Sequence, residues 1–320
     1  MLETSSSKED AKTSVRDDAE RQPGRKSTHE DGDVAGLGKR RAVAFVAPAL
    51  ALVSVFLIFP AVWTLYLGLT NYGLTGSQAL NPQFVGIDNY VSALTNPAFL
   101  NSLWLTVLFV FGSALIGQSF LGFLIAWMMM RVSRVVRGVV EFFVLLGWII
   151  PSSVSTFLWF ALLDGGSGTL NLLLHTPGTA WLLQFPMWSI IVFNTWVGTA
   201  FSMLLFSSAL ASVPPSQLES ARSAGAGAWA QLRDVIFPHI RGHILTNTLL
   251  ITLWTFNTFT PYLLTAGGPD GRSEILPVFI YKLALQNGML GQGAAISLIM
   301  IVLNLMIALV YIRLLRTREQ

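Results

Sequence analysis

Long runs of apolar residues alternate along this chain with short polar stretches, and the pattern is neither the period-two alternation of strands nor the one-sided stripe of soluble helices. Six stretches are apolar on all sides: about 42–70, 102–130, 138–163, 186–212, 243–265 and 292–314. A hydrocarbon core roughly 30 Å thick needs about 20 such residues in a helix. The pattern therefore predicts an all-α integral membrane protein with six transmembrane helices over residues 39–320. Pro60, Pro151 and Pro261 interrupt the spans, and each leaves a backbone carbonyl for neighbours or water to satisfy. Glu141 is the clear acidic exception, near the end of a span, where its carboxylate can snorkel to the interface or pair with Arg137 one turn back.

The six Lys/Arg and nine Asp/Glu of residues 1–38, with almost no large apolar residue, mark that stretch as a separate segment. Such a sequence cannot bury enough surface to fold alone. It reads as a disordered cytoplasmic tail, too long and too acidic for a secretory leader. Elsewhere basic residues cluster on alternate connections: Lys39, Arg40 and Arg41; Arg131, Arg134 and Arg137; Arg222, Arg233 and Arg241; Arg313, Arg316 and Arg318. The opposite connections carry only Arg272 and Lys282. By the positive-inside rule, both termini are expected in the cytoplasm of a multi-pass inner-membrane protein.

Composition narrows the chemistry. The chain is 53% hydrophobic and 12% charged, about half the charge of a soluble domain. It has no cysteine, which removes disulfides, thiolate nucleophiles and cysteine-held metals. His239 and His243 have a metal-compatible spacing, but Arg241 stands between them and no third ligand is near, so no metal site is expected. No ionisable residue is central to a span, as an ion-coupled carrier would require. No catalytic set emerges at membrane depth, which argues against an intramembrane enzyme. Spans four and five instead carry Asn194, Thr195, Thr199, Ser202, Asn247, Thr248, Thr252, Thr255, Asn257, Thr258 and Thr260. Amides and hydroxyls at that density point to helix packing or a wet pathway.

The connection at 213–242, VPPSQLESARSAGAGAWAQLRDVIFPHIRG, carries the most information. Ser216 and Glu219 have the spacing of a capping box, predicting a short helix that begins at Ser216. Gly225 and Gly227 break it, and Gly225 is expected to set a turn that only glycine adopts without strain. A second helix, AWAQLRDVIF, is expected to end at Pro238. Glu219, Ser220 and Ala221, then Gly225, then Val235, Phe237 and Pro238 fall at the spacing of a motif in one family. This loop resembles the permeases of binding-protein-dependent ABC importers, which carry Glu-Ala-Ala, Gly and Ile-x-Leu-Pro in that order. The departures are Ser220 for the first Ala, Val235 for Ile, Phe237 for Leu and Ala224 for a common Asp.

Three more segments are similar to sugar-type permeases of that family: 48–73, 84–94 and 263–285. They resemble the maltose and glycerol-3-phosphate branch, and the first permease of its pair. The resemblance implies the type I importer permease fold and a transporter subunit rather than an enzyme. It implies a second, distinct permease, two ATPase subunits, an extracytoplasmic solute-binding protein and surrounding lipid as partners, with no nucleic acid. No Gly-x-x-x-x-Gly-Lys-Ser/Thr motif occurs in the chain. ATP and magnesium would thus be used by the partner ATPase, with no cofactor bound here. The loop 216–238, through Glu219, Ser220, Ala221, Gly225, Val235 and Pro238, would couple to that ATPase. The resemblance further places substrate contacts at Asn194, Gly198 and Phe201, on one face of span four, and at Trp254 and Asn257 in span five.

Overall fold

The computed structural model describes residues 39–316. The tail expected over 1–38 lies outside the described residues, which are helical apart from turns and one isolated bridge between Thr70 and Phe84. The chain divides into two units at Phe56/Leu57. In the first, the helix Lys39–Val53 contains Pro48 and is exposed wherever its side chains are described.

Apolar length again decides which helices matter. Four candidate spans are long and apolar enough to cross a membrane among the described residues: Val43–Gly68, Pro97–Met129, Pro186–Ala211 and Leu290–Leu315. A fifth results if the pair Arg134–Ile149 and Ser152–Leu162 is counted as one. That pair covers the stretch expected at 138–163 with its interruption at Pro151, and the two halves are bent by 103°. The reason is local. A proline disfavours the helical region for the residue before it, and Ile150 and Pro151 are both extended, with ψ of 129° and 136°.

The stretch expected at 243–265 is displaced. The helix runs Phe237–Phe256 and stops at Asn257, and Pro261–Thr265 is a separate short helix. Its first turns carry His239, Arg241 and His243, so it falls short of the other spans in apolar character. Nor does the preceding helix end at Pro238. Ala228–Gln231 continues through a π-helical turn, Leu232–Ile236, straight into Phe237–Phe256. In a regular α-helix the ring of Pro238 would press on the carbonyl of Asp234. The wider turn just before it lets the helix continue.

Glycine sets how closely the spans pack, as expected where lipid supplies no hydrophobic drive between helices. A Cβ at Gly117 would lie 2.2 Å from Oγ1 of Thr195, and one at Gly122 would lie 2.5 Å from Cβ of Ser202. The Pro97–Met129 helix thus seats directly on Pro186–Ala211. Three buried clusters fill the interior. Phe99, Ile251, Leu276 and Ile296 centre one, Met203, Phe206, Leu232 and Ile240 the second, and Phe109, Ile190, Phe193 and Ile275 the third. Arg137 does not reach for Glu141. Its guanidinium donates to the carbonyl oxygen of Met129, at 3.0 Å from Nε and 2.5 Å from Nη2, and so ties two successive spans across their connection.

Candidate functional site: a polar-aromatic cavity and a glycine-hinged loop

Two places collect the residues singled out from sequence. The first is a cavity of about 130 Å³ within the bundle. Asn194, Gly198, Phe201 and Trp254 all line it. The Pro186–Ala211 helix presents the first three at i, i+4 and i+7, on one face. Opposite them stands Gln118, buried, at the end of the π-helical run Val110–Gln118. Its Nε2 donates to the backbone carbonyl of Asn194 at 3.0 Å. The Asn194 amide in turn donates to Oγ of Ser113 at 2.9 Å and lies 3.4 Å from Oγ1 of Thr255. Gly198 is where the Gln118 arm crosses the helix: a Cβ there would sit 2.2 Å from Cδ and Oε1 of Gln118. The glycine is needed for close approach, not for an unusual backbone angle.

Aromatic rings form the other wall. Trp148, Phe201 and Trp254 make a triangle with centroids 5.7 to 6.2 Å apart, in tilted and edge-on arrangements. The bend at Ile150–Pro151 brings Trp148, Ser152 and Ser155 to this wall. Gln118, Trp148, Ser152 and Ser155 were not among the residues chosen from sequence. Gln118 carries a legible signal, as an amide in an otherwise apolar span. The serines become visible only once Pro151 is understood to turn the chain.

Asn257 is not brought to this cavity. It is exposed and pairs with Asn304 of the Leu290–Arg316 helix: each amide donates to the other's oxygen, at 2.9 and 3.1 Å. Its Nδ2 also reaches the carbonyl of Leu253 at 2.6 Å. These bonds clasp two helices together. We expect Asn257→Leu alone to weaken packing by about 1 kcal/mol, because Asn304 is left without its partner. The double variant Asn257→Leu/Asn304→Leu should recover most of that loss. Thermal melting of the purified single and double variants checks this, and additive losses would rule the clasp out.

The second place is the loop. Its short helix runs Pro215–Ser223, with Pro214 as the N-cap and no side-chain cap bond. The expected capping box is therefore not formed. Pro215 occupies the first turn, where a missing N–H costs nothing, so the helix starts before Ser216 and places that serine inside it. The other end is as expected. Gly225 has φ of +82°. Its N–H bonds to the carbonyl of Arg222 at 2.9 Å, and the N–H of Ala226 bonds to that of Ala221 at 2.9 Å. Those two bonds make a Schellman closure. After the turn, Gln231 is buried and donates from Nε2 to the carbonyl of Ala226 at 2.8 Å, which ties the second helix to the turn.

Between the two helices lies an open groove lined by Ser216, Ser220, Ala221, Asp234, Val235 and Pro238, among others. Hydrogen bonds from Arg233 hold the Asp234 carboxyl below the usual carboxylate range. Glu219 and Gly225 are exposed on the same loop without lining the groove. So is Trp229, 69% exposed, which sequence reasoning passed over. His239 also lines the groove, with Nε2 at 3.1 Å from the carbonyl oxygen of Ser212.

Comparison with known proteins gives the family. Residues 118–318 match the family described as the binding-protein-dependent transport system inner membrane component. The chain belongs to that family and is a membrane-embedded permease component of an ABC transport system, not an enzyme. Among its relatives is the diacetylchitobiose uptake system permease protein DasB of Streptomyces coelicolor, 29% identical over 94% of this chain and 98% of the relative. Another is the sulfoquinovosyl glycerol transport system permease protein SmoG of Agrobacterium fabrum, 27% identical over 87% of this chain and 91% of the relative. The fold matches a chain of a bacterial alginate ABC transporter, solved in complex with its alginate pentasaccharide-bound periplasmic protein. There the TM-score is 0.71, with 21% identity over 84% of this chain and 92% of that one.

Proposed function

We propose that this chain is one of two distinct permeases of an importer for a sugar or sugar-like solute, with the cavity as its half of the pathway. The observation that carries the reading is the cavity lining: a triangle of aromatic rings faces the amides of Gln118 and Asn194 and the hydroxyls of Ser152, Ser155 and Thr255. Sugars are recognised by that combination, because C–H faces lie on rings while hydroxyls need directional partners. The names of the relatives above, two of them for glycosides, support the same class of solute.

In this reading six spans cross the membrane, with the bent pair as the third and Phe237–Phe256 as the fifth. Both termini are cytoplasmic. The loop 216–238 docks on one of two ATPase subunits, which use ATP and magnesium, and a solute-binding protein delivers the sugar outside. Closure of the ATPase pair would move the loop and rock the spans between two packings.

Reconstitution of the importer with its ATPase and binding protein in liposomes tests the solute. We expect ATP-dependent uptake of at least one of maltose, cellobiose, diacetylchitobiose and sulfoquinovosyl glycerol. Uptake of amino acids in their place would overturn the sugar reading. Orientation is tested separately, since the chain has no native cysteine. Single cysteines at Leu80 or Leu170 should label from outside, and at Val135 or Arg222 from inside. The reverse pattern would invert the topology.

A further inference from the structure

A second group of rings lies outside the cavity. Phe259 and Tyr262 stack at 5.0 Å with 18° between their planes. Tyr281 stands against both, at 5.0 and 4.8 Å, tilted 55° and 59°. Two rings thus make a floor and the third a wall. Phe259 remains 37% exposed and both tyrosines are partly exposed, so the cluster is open rather than a piece of core. Gln286, also exposed, donates from Nε2 to the Tyr262 hydroxyl at 2.9 Å. Its amide oxygen stays available beside the rings.

The rings are held from behind. Tyr281 ends the helix Leu276–Tyr281, whose Leu276, Val278 and Phe279 are buried. The N–H of Leu276 bonds to Oγ1 of buried Thr106 at 2.7 Å. Phe259 sits between Thr258 and Thr260, both of which line the cavity. Cluster and cavity are therefore joined through one short stretch of backbone.

We propose that Phe259, Tyr262 and Tyr281, with Gln286, form a sugar-stacking platform at the outer end of the pathway, distinct from the cavity, where the incoming carbohydrate rests before entering. The proposal rests on the sugar reading above. The cluster offers ring faces together with polar partners: the Gln286 amide and two phenol hydroxyls border the rings. Stacked rings bordered by an amide and hydroxyls suit a pyranose, whose C–H faces lie on rings while its hydroxyls need directional partners.

The test uses the whole importer in liposomes and whichever of the four sugars named above it takes up. Tyr262→Leu and Tyr281→Leu should each lower uptake at subsaturating sugar by about five- to tenfold, the scale of one lost ring contact. Tyr281→Phe keeps the ring and should lose clearly less uptake than Tyr281→Leu. ATPase and partner permease should co-purify with all three variants at wild-type stoichiometry. Normal uptake by both leucine variants would overturn the platform. So would loss of the partner permease from them, which would make the rings a subunit contact. If wild type imports none of the four sugars, the sugar reading itself falls. Wild-type uptake with unaffected leucine variants sinks only the platform.

Discussion

Replacing Gly225 by valine is expected to lower uptake by an order of magnitude or more while leaving the spans inserted. The turn at Gly225 is in open space: a Cβ there would meet nothing within 4 Å. The whole cost is therefore conformational. At φ of +82° a branched side chain collides with its own backbone, and such positions cost on the order of 1–3 kcal/mol. About 2 kcal/mol corresponds to roughly thirtyfold in the population holding the closed turn. The Pro215–Ser223 helix would then lose its fixed angle to the helix beginning at Ala228, and the groove between them would lose its shape. Asparagine tolerates the left-handed region far better than valine, so Gly225→Asn should keep most of the activity. The measurement is ATPase co-purified per permease, with hydrolysis stimulated by loaded binding protein. If the valine variant keeps both, the turn is not the coupling element. Trp229→Ala gives an independent view of the same surface. An exposed tryptophan on the loop proposed to dock on the ATPase suits an interface anchor, and its loss should reduce co-purification by about tenfold while the permease stays folded. Unaltered co-purification would move Trp229 to the membrane surface or to free solvent.

Much of this was legible in the sequence because its signals are local. Apolar length alone marks the helices at 102–130, 186–212 and 292–314, and the structure has candidate spans there. Gly225 was legible because a glycine after a short helix has one common use, and the Schellman bonds are that use. The errors share a cause. At Pro151, Pro238 and Pro214–Pro215 the residue type announces a break, but not whether the chain bends, widens by a turn or begins a helix one step early. Those outcomes depend on what packs nearby. Pro151 and Ile150 before it are extended and the chain bends there, whereas Pro238 follows a π-helical turn and lets the helix run on. The placement of Asn257 failed for a different reason. An amide in a span reads the same whether it faces a ligand or another amide, and Asn304 lies 47 residues away. Gln118 was legible as an amide in an apolar span, but its crossing of the helix at Gly198 is a tertiary fact that spacing does not carry.

That crossing supplies the sharpest test of the cavity. Gly198→Ala is expected to abolish most transport with little effect on assembly. The added methyl would lie 2.2 Å from Cδ and Oε1 of Gln118 and 2.6 Å from Nε2, so one of them must move. The helix is fixed by buried neighbours on either side, Thr199 and Ala200 among them. The Gln118 arm is the flexible partner, and it swings away at modest cost to the fold. It then gives up its bond to the Asn194 carbonyl, and its amide no longer stands across from the aromatic triangle. One lost hydrogen bond to a sugar hydroxyl is worth about 1 kcal/mol, and the methyl also takes room from a small cavity. Together they should reduce uptake by roughly tenfold or more. The companion variant decides what the loss means. Gln118→Ala should lower transport by itself. Adding Gly198→Ala to it should then cost little further, because nothing remains for the methyl to displace. If the two losses simply add, the methyl acts on the cavity independently of Gln118. If Gly198→Ala transports at the wild-type rate in well-assembled importer, the cavity is a packing defect and the solute passes elsewhere.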